Sequence, residues 1–390
     1  MKHVQRELEP VLLKAMRSFP AVVLTGPRRS GKTHLLRQLF PQASYFLLED
    51  PDIVSRLRAD PHGFLDGVTT PVILDEVQNV PEVFAHVRSR IDRQPGRVGQ
   101  WILTGSQEAP LMHNVSESMA GRAAVLQLLP FSFRETQKVT ALRGGYPEVI
   151  ARPGAATLWF SSFLQTYLER DVRSVTGVRD LSTFRRFIAL VSSRHGQMLN
   201  KTDIAAPLGV SVPTITQWLS VLETTAQILV VPPYFENLGK RLVKSPKVYI
   251  ADAGLACHLL GIETATELNR SPFLGAIFEG FIAAEIVKSQ VHRGARREIY
   301  YFRDQQGLEV DFVVPGSDGA LTLIECKATA TPVPSMAARM LHLAEAARKN
   351  RCQRSVEMVL VHQSAKTSSK TTALAPGVRA LPWPDFVASL

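Results

Sequence analysis

Cysteine is scarce in this chain. Cys257, Cys326 and Cys352 are the only three in 390 residues. They are odd in number and lack ligand spacing, which excludes a disulfide framework and a cysteine-held zinc site and suits a reducing cytosol. Long apolar runs are also missing. No stretch reaches membrane-spanning length, and Met1 to Glu9 is charged where a secretory leader has an apolar core, so a soluble, cytoplasmic protein without a membrane partner is expected. No internal repeat is visible. Acids are outnumbered: 35 Asp and Glu face 45 Lys and Arg, a formal charge of +10. That surplus favours a polyanionic partner, nucleic acid before membrane, over charge that serves solubility alone. With 45% hydrophobic residues, the length predicts two or three globular domains.

What is present begins with Gly26, Pro27, Arg28, Arg29, Ser30, Gly31, Lys32 and Thr33, a complete G-x-x-x-x-G-K-[ST] loop. An apolar strand, Ala21 to Leu24, precedes it and a helical pattern, His34 to Phe40, follows. In that context backbone N–H groups cradle phosphates, Lys32 reaches the β- and γ-phosphates of ATP, and the Thr33 hydroxyl ligates Mg²⁺. Thr70 to Glu76 then supplies an apolar strand ending in two acids, expected to lie beside the first strand. Asp75 is placed to hold Mg²⁺ through water, and Glu76 to polarise the water that attacks the γ-phosphate. A third strand, Gln100 to Gln107, ends in small polar residues, of which Ser106 or Thr104 is a candidate to hold that water. Simple turn chemistry explains them equally well. Arg122 precedes the apolar strand Ala123 to Leu129, where it also suits a helix-dipole partner.

This order, strand-loop-helix, Asp-Glu, polar-ended strand and Arg before the last strand, resembles an AAA+ ATPase core. The resemblance implies that Arg122 is a finger reaching a neighbouring subunit's γ-phosphate, hence a homo-oligomer such as a ring, with sensor duty on Ser106 or Thr104. More narrowly, Gly26-Pro27-Arg28, Gly145-Tyr146-Pro147-Glu148, Leu168-Glu169-Arg170-Asp171 and Lys244-Ser245-Pro246-Lys247-Val248-Tyr249 resemble bacterial and archaeal AAA+ proteins carrying the C-terminal domain of unknown function 4143.

Arg152-Pro153-Gly154 ends the first domain. Helical patterns over Leu158 to Val172 and Leu181 to Val191 look like a lid, with Arg170 and Arg173 as candidate nucleotide sensors. From Lys201 to Leu219, Ala205, Gly209 and Ile215 fall at the small, turn and core positions of a helix-turn-helix, and Ser211 at the N-cap of its second helix. Strands at Ile228 to Val231 and Val248 to Ala251 would make it winged, with Lys240, Arg241, Lys244 and Lys247 as a basic wing for DNA phosphates. The second helix has no Arg or Lys for guanine readout, which favours backbone over sequence-specific contacts.

Phe273 to Lys288 reads as a helix carrying Glu279 and Glu285. A hairpin, Glu298 to Arg303 and Leu308 to Val314, and a strand, Leu321 to Lys327, follow. On that strand the period of two puts Glu325 and Lys327 on one face. Asp311 and Glu325 are placed to share Mg²⁺, Lys327 to stabilise charge on the nucleophile or transition state, and Glu279 to complete the metal shell. The order resembles the restriction-endonuclease-like PD-(D/E)xK superfamily, although Val310 stands before Asp311 where many members have Pro. Ser335 to Lys349 reads as a helix and Ser355 to Val361 as the strand closing that sheet.

The expectation is therefore an α/β chain in three parts: a P-loop AAA+ parallel sheet over 1–150, a helical lid and winged helix-turn-helix over 151–262, and a PD-(D/E)xK-like domain over 263–390. Its expected work is Mg²⁺-dependent ATP hydrolysis in an oligomer, coupled to DNA binding, translocation or remodelling. A nucleotide-gated switch with a protein partner and an ATP-regulated metal-dependent nuclease are the alternatives.

Overall fold

The computed structural model describes residues 4–105, 118–167, 181–234, 244–316, 319–349, 355–363 and 373–390. The chain divides into two compact units. One comprises Met1–Phe131, Thr224–Ala226 and Gln290–Arg296; the other comprises Ser132–Glu223, Gln227–Ser289 and Arg297–Leu390.

The first unit is built on five strands: β1 (Ala21–Thr25), β2 (Ser44–Leu47), β3 (Val72–Asp75), β4 (Trp101–Thr104) and β5 (Ala123–Gln127). They pair in the order β2-β3-β4-β1-β5, parallel throughout. Unbroken apolar runs suit this sheet because both of its faces are covered. Ala21 and Val23 of β1 pack with Leu57, Val83 and Val87 on one side. Val22 and Leu24 pack with Leu12, Leu35 and Leu36 on the other. The strand ending in Asp75 does not lie beside β1 as its composition suggested. β4 separates them, because an apolar run specifies burial on two faces but not a neighbour. β2, whose residues are only half-buried, was not anticipated.

The second unit contains two sheets and several helices. Helix Leu181–Ser193 packs Phe184 and Phe187 against Trp218 of helix Val212–Thr224. Helix Lys201–Leu208 meets Val212–Thr224 at a bend of 109°. Gly209 makes the turn at φ 66°, Ile215 is buried, and Ser211 Oγ accepts the Thr214 N–H at 3.2 Å, as an N-cap does. Three short strands, β6 (Gln197–Met198), β7 (Ile228–Val231) and β8 (Lys247–Ile250), form an antiparallel sheet in the order β6-β8-β7.

A six-stranded sheet completes the unit: β9 (Tyr300–Arg303), β10 (Glu309–Pro315), β11 (Leu321–Lys327), β12 (Val356–His362), β13 (Ala373–Ala375) and β14 (Val378–Pro382), ordered β13-β14-β12-β11-β10-β9. β10 runs antiparallel to β9 and β11, while β11, β12 and β14 are mutually parallel. The strand after the helix Ala338–Lys349 therefore does not close this sheet, as was expected of it; β14 and β13 extend it further. Leu321 and Leu323 pack with Met340 and Leu343 of that helix. Helix Leu274–Val291 carries Glu279 and Glu285, the latter buried and accepting the Phe133 N–H at 2.8 Å and Lys288 Nζ at 2.9 Å. Among the described residues, no single helix is long and apolar enough to cross a membrane.

Candidate nucleotide site and C-terminal acidic cluster

The phosphate loop leaves the carboxyl end of β1 and enters helix Lys32–Leu39. Two of its glycines are steric necessities. Gly26 has φ 138°, and a Cβ there would stand 2.1 Å from the Leu128 carbonyl oxygen; Gly31 has φ 98°. Lys32 is buried, and its Nζ donates to the carbonyls of Gly26 at 3.0 Å and Pro27 at 3.1 Å, so the ammonium lies folded across the loop. Arg28 stands 3.8 Å from Glu49. The helix N-terminus adds amide donors and a positive dipole end, the chemistry that suits phosphate.

Parallel register gathers the other groups at the same edge. Leu24 pairs with Thr104, Leu74 with Leu103, and Leu47 with Asp75. Asp75 consequently meets three hydroxyls. Its Oδ2 accepts Thr33 Oγ1 at 2.7 Å and Tyr45 OH at 2.8 Å, and its Oδ1 accepts Thr104 Oγ1. Glu76 follows in the left-handed region at φ 59°, with its N–H donating to Thr104 Oγ1 at 3.2 Å. Gln78 Nε2 donates to the Glu76 carboxylate. Thr104, one of the two residues weighed for sensor duty, is thus in the cluster. Ser106 lies outside the described residues, as do Arg170 and Arg173.

Two groups here escaped the sequence reading. Tyr45 comes from β2, and burial followed by the neighbouring Asp75 raises its phenol well above the ordinary tyrosine range. Arg6, buried, donates from Nη1 to the Ser30 carbonyl at 2.9 Å and from Nη2 to the Leu129 carbonyl at 2.6 Å, with its guanidinium over the Phe131 ring. It ties the loop to the chain after β5. Arg122 is elsewhere. It precedes β5, whose first residue pairs with Ala21, so it lies at the amino edge of the sheet while the loop lies at the carboxyl edge. Its Nε and Nη2 reach Asp92 at 2.6 and 3.1 Å, and the hydrogen bond from Arg122 is what lowers the Asp92 carboxyl.

In the second unit, Glu325 and Lys327 share a face of β11 and meet at 2.6 Å. Asp311 Oδ2 accepts the Cys326 N–H at 2.8 Å. Glu279 does not join these as a free metal ligand. Its Oε1 accepts Lys247 Nζ at 2.8 Å and Tyr249 OH at 2.5 Å. Lys247, assigned from sequence to a phosphate-binding wing, is 4% exposed and instead bonds Glu279 and, at 2.7 Å, Glu309. A basic run in sequence does not reveal which cation the fold buries. Lys240 and Arg241 lie outside the described residues, and Lys244 is exposed.

Burial, then the nearby Asp311, pushes the Glu279 and Glu325 carboxyls up to about 7. Burial works against the Lys247 ammonium, but Glu279, Asp311 and Glu309 outweigh it and raise the group far above the lysine range. A metal bridging Glu279, Asp311 and Glu325 fits this arrangement poorly. Among the described residues, their oxygens are not gathered within 4.8 Å of one another.

The parallel sheet, the glycine-dependent loop and the hydroxyl-braced acid at its edge define a P-loop ATPase of the AAA class. Family comparison agrees: an AAA domain matches residues 18–137, and domains of unknown function 8612 and 4143 match 134–266 and 274–386. Uncharacterized proteins of Mycobacterium tuberculosis and Mycobacterium bovis are each 35% identical over 344 residues, covering 86% of this chain and 76% of theirs. A Walker-type ATPase of Pyrococcus abyssi has a TM-score of 0.44 at 18% identity, over 65% of this chain and 95% of that one. The chain belongs to the family of AAA-type P-loop ATPases that carry domain of unknown function 4143 in their C-terminal region.

Proposed function

We propose that this protein hydrolyses ATP with Mg²⁺ in a homo-oligomer and couples the hydrolysis to binding and remodelling or translocating DNA. The carrying observation is the Asp75 cluster. Thr33 Oγ1 and Asp75 Oδ2 stand 2.7 Å apart, where one Mg²⁺ would draw on the hydroxyl directly and on the carboxylate through water. Glu76, one residue on, is the group to polarise the attacking water, and Lys32 would turn from its loop carbonyls to the phosphates. Arg122, away from its own loop, is suited to completing a neighbour's site, for which it would exchange Asp92 for a γ-phosphate. The charge of +10 and the exposed face of Ser211, Thr216 and Gln217 support a DNA backbone partner.

The test is ATP turnover against duplex, forked, junction and single-stranded DNA, with wild type and Arg122→Ala compared. Turnover that rises with DNA and falls in Arg122→Ala supports the reading. DNA-independent turnover with no retention on DNA at moderate salt overturns it. One observation favours the switch as a second reading: the bond from Gln78 holds the Glu76 carboxylate aside and suits slow turnover. Faster hydrolysis by Gln78→Ala, without any DNA response, would favour that switch.

A further inference from the structure

The acids of the second unit carry their own cation. Lys247 Nζ has three acidic neighbours, Glu279 Oε1 at 2.8 Å, Glu309 Oε1 at 2.7 Å and Asp311 Oδ1 at 4.0 Å. An ammonium has three N–H donors, and here Glu279 and Glu309 stand at hydrogen-bond distance, with Asp311 further off as a charge neighbour. The Tyr301 ring centroid lies 5.5 Å from the same nitrogen, and Tyr301 OH donates to the Ser245 carbonyl, two residues before the lysine. Strand geometry explains the delivery. On β8 the period of two directs Lys247 and Tyr249 to one side, where both donate to Glu279 Oε1, while Val248 enters the opposite core. A long side chain held by two acids with a third nearby, an aromatic face and an anchored backbone is a built position, unlike a surface ion pair.

We infer that Lys247 is the resident cation of this cluster, so that an ammonium holds Glu279 and Glu309, with Asp311 beside it, and no divalent metal bridges Glu279 to Asp311. A divalent ion bridging Glu279 to Asp311 would have to enter where the ammonium stands, and two such positive centres a few ångströms apart repel strongly in a buried site. Removing the lysine charge while keeping its bulk should therefore open Glu279 and Asp311 to a cation, Glu309 keeping Arg303 at 2.9 Å, because hard carboxylate oxygens are what Mn²⁺ and Mg²⁺ bind. The inference is independent of ATP hydrolysis at Lys32 and stands or falls apart from it.

The experiment is a Mn²⁺ titration of the full chain without nucleotide, read by electron paramagnetic resonance and by thermal unfolding, on wild type, Glu279→Gln, Lys247→Met and Lys247→Met/Glu279→Gln. Wild type should retain no Mn²⁺ that Glu279→Gln releases, and Mn²⁺ should leave its midpoint unchanged. Lys247→Met should unfold earlier in chelator, recover with Mn²⁺, and bind the ion at least about tenfold more tightly than wild type. The double variant should lose that recovery. Wild-type retention of Mn²⁺ that Glu279→Gln abolishes overturns the inference, and so does a folded Lys247→Met that gains no Mn²⁺. Should Lys247→Met fail to fold in chelator, the wild-type and Glu279→Gln titrations decide alone, by the same criterion.

Discussion

Two carboxylate centres in this chain meet opposite company. At the nucleotide site Asp75 is met by neutral hydroxyls, Thr33, Tyr45 and Thr104, which orient the carboxylate yet leave its negative charge uncompensated. In the second unit Glu279 and Glu309 are met by the full charge of Lys247. Hydroxyls give a cation a reason to come, whereas a buried ammonium removes it. A pair of acids with a lysine nearby is thus not one kind of site. What decides is whether the lysine points past the acids, as Lys32 does toward its loop carbonyls, or sits among them.

The largest expected effect sharpens the first half of that contrast. Glu76→Gln should lower ATP turnover by about 10²–10⁴-fold, the usual range for a lost general base, while nucleotide binding persists. Lys32→Ala should abolish turnover and weaken binding as well. Turnover by phosphate release and nucleotide affinity by fluorescence check the pair. If Glu76→Gln leaves turnover within a factor of two, Glu76 is not the base and the contrast loses its catalytic member.

Next comes the second half. Lys247→Met leaves the half-buried Glu279 without its cation, while Glu309 keeps Arg303 at 2.9 Å, and breaking a buried pair from one side costs up to about 3–5 kcal/mol. Chemical denaturation, followed by the Trp fluorescence of the second unit, should show the loss in metal-free buffer. A change under about 1 kcal/mol would place Lys247 in the class of exposed ion pairs.

Why the first site is readable in sequence and the second misleads follows from how each is made. The phosphate loop needs contiguous residues, since the backbone itself cradles the ligand, and Asp75-Glu76 closes an apolar run; both features survive as strings. Arg6 and Tyr45 reach the site from 24 and 30 residues away through side-chain hydrogen bonds, and no periodicity announces them. The helix turn at Gly209, the N-cap Ser211 and the pairing of Glu325 with Lys327 follow from local rules and are legible. Strand neighbours are not: β4 comes between β1 and β3 by a choice that only the whole sheet makes. Lys247 is the instructive case, because charge in a sequence reads as exposure until the acids that bury it, Glu279 and Glu309, are brought from a helix and a strand further on.

A third test asks whether burial without a counter-charge behaves differently again. His195 is fully buried, its Nδ1 accepts the Ile250 N–H at 3.0 Å, and burial pulls its pKa down to about 4 from 6.5. Gly280 permits this packing, since a Cβ there would lie 2.2 Å from His195 Nε2. Between pH 6.5 and 4 the unfolded chain binds a proton that the folded chain refuses, so stability falls as pH drops through that window, by about 3 kcal/mol for this group. His195→Asn, which retains an acceptor near the Nδ1 position, should flatten that part of the denaturation-versus-pH curve. An unchanged slope would mean that His195 is protonated in the folded protein.

The smallest expected effect concerns a single hydroxyl at Asp75. Tyr45→Phe removes one of three donors while Thr33 and Thr104 still hold the carboxylate, so the loss is that of one ordinary hydrogen bond, about 1 kcal/mol in stability. ATP turnover at saturating Mg²⁺ should stay within about fivefold of wild type, since the same free energy expressed fully in the barrier is about that factor. The comparison with Lys247 rests on this modesty: neutral donors are individually replaceable, and a resident charge is not. A hundredfold loss of turnover in Tyr45→Phe would break it, placing the phenol in contact with the reacting phosphate or its metal.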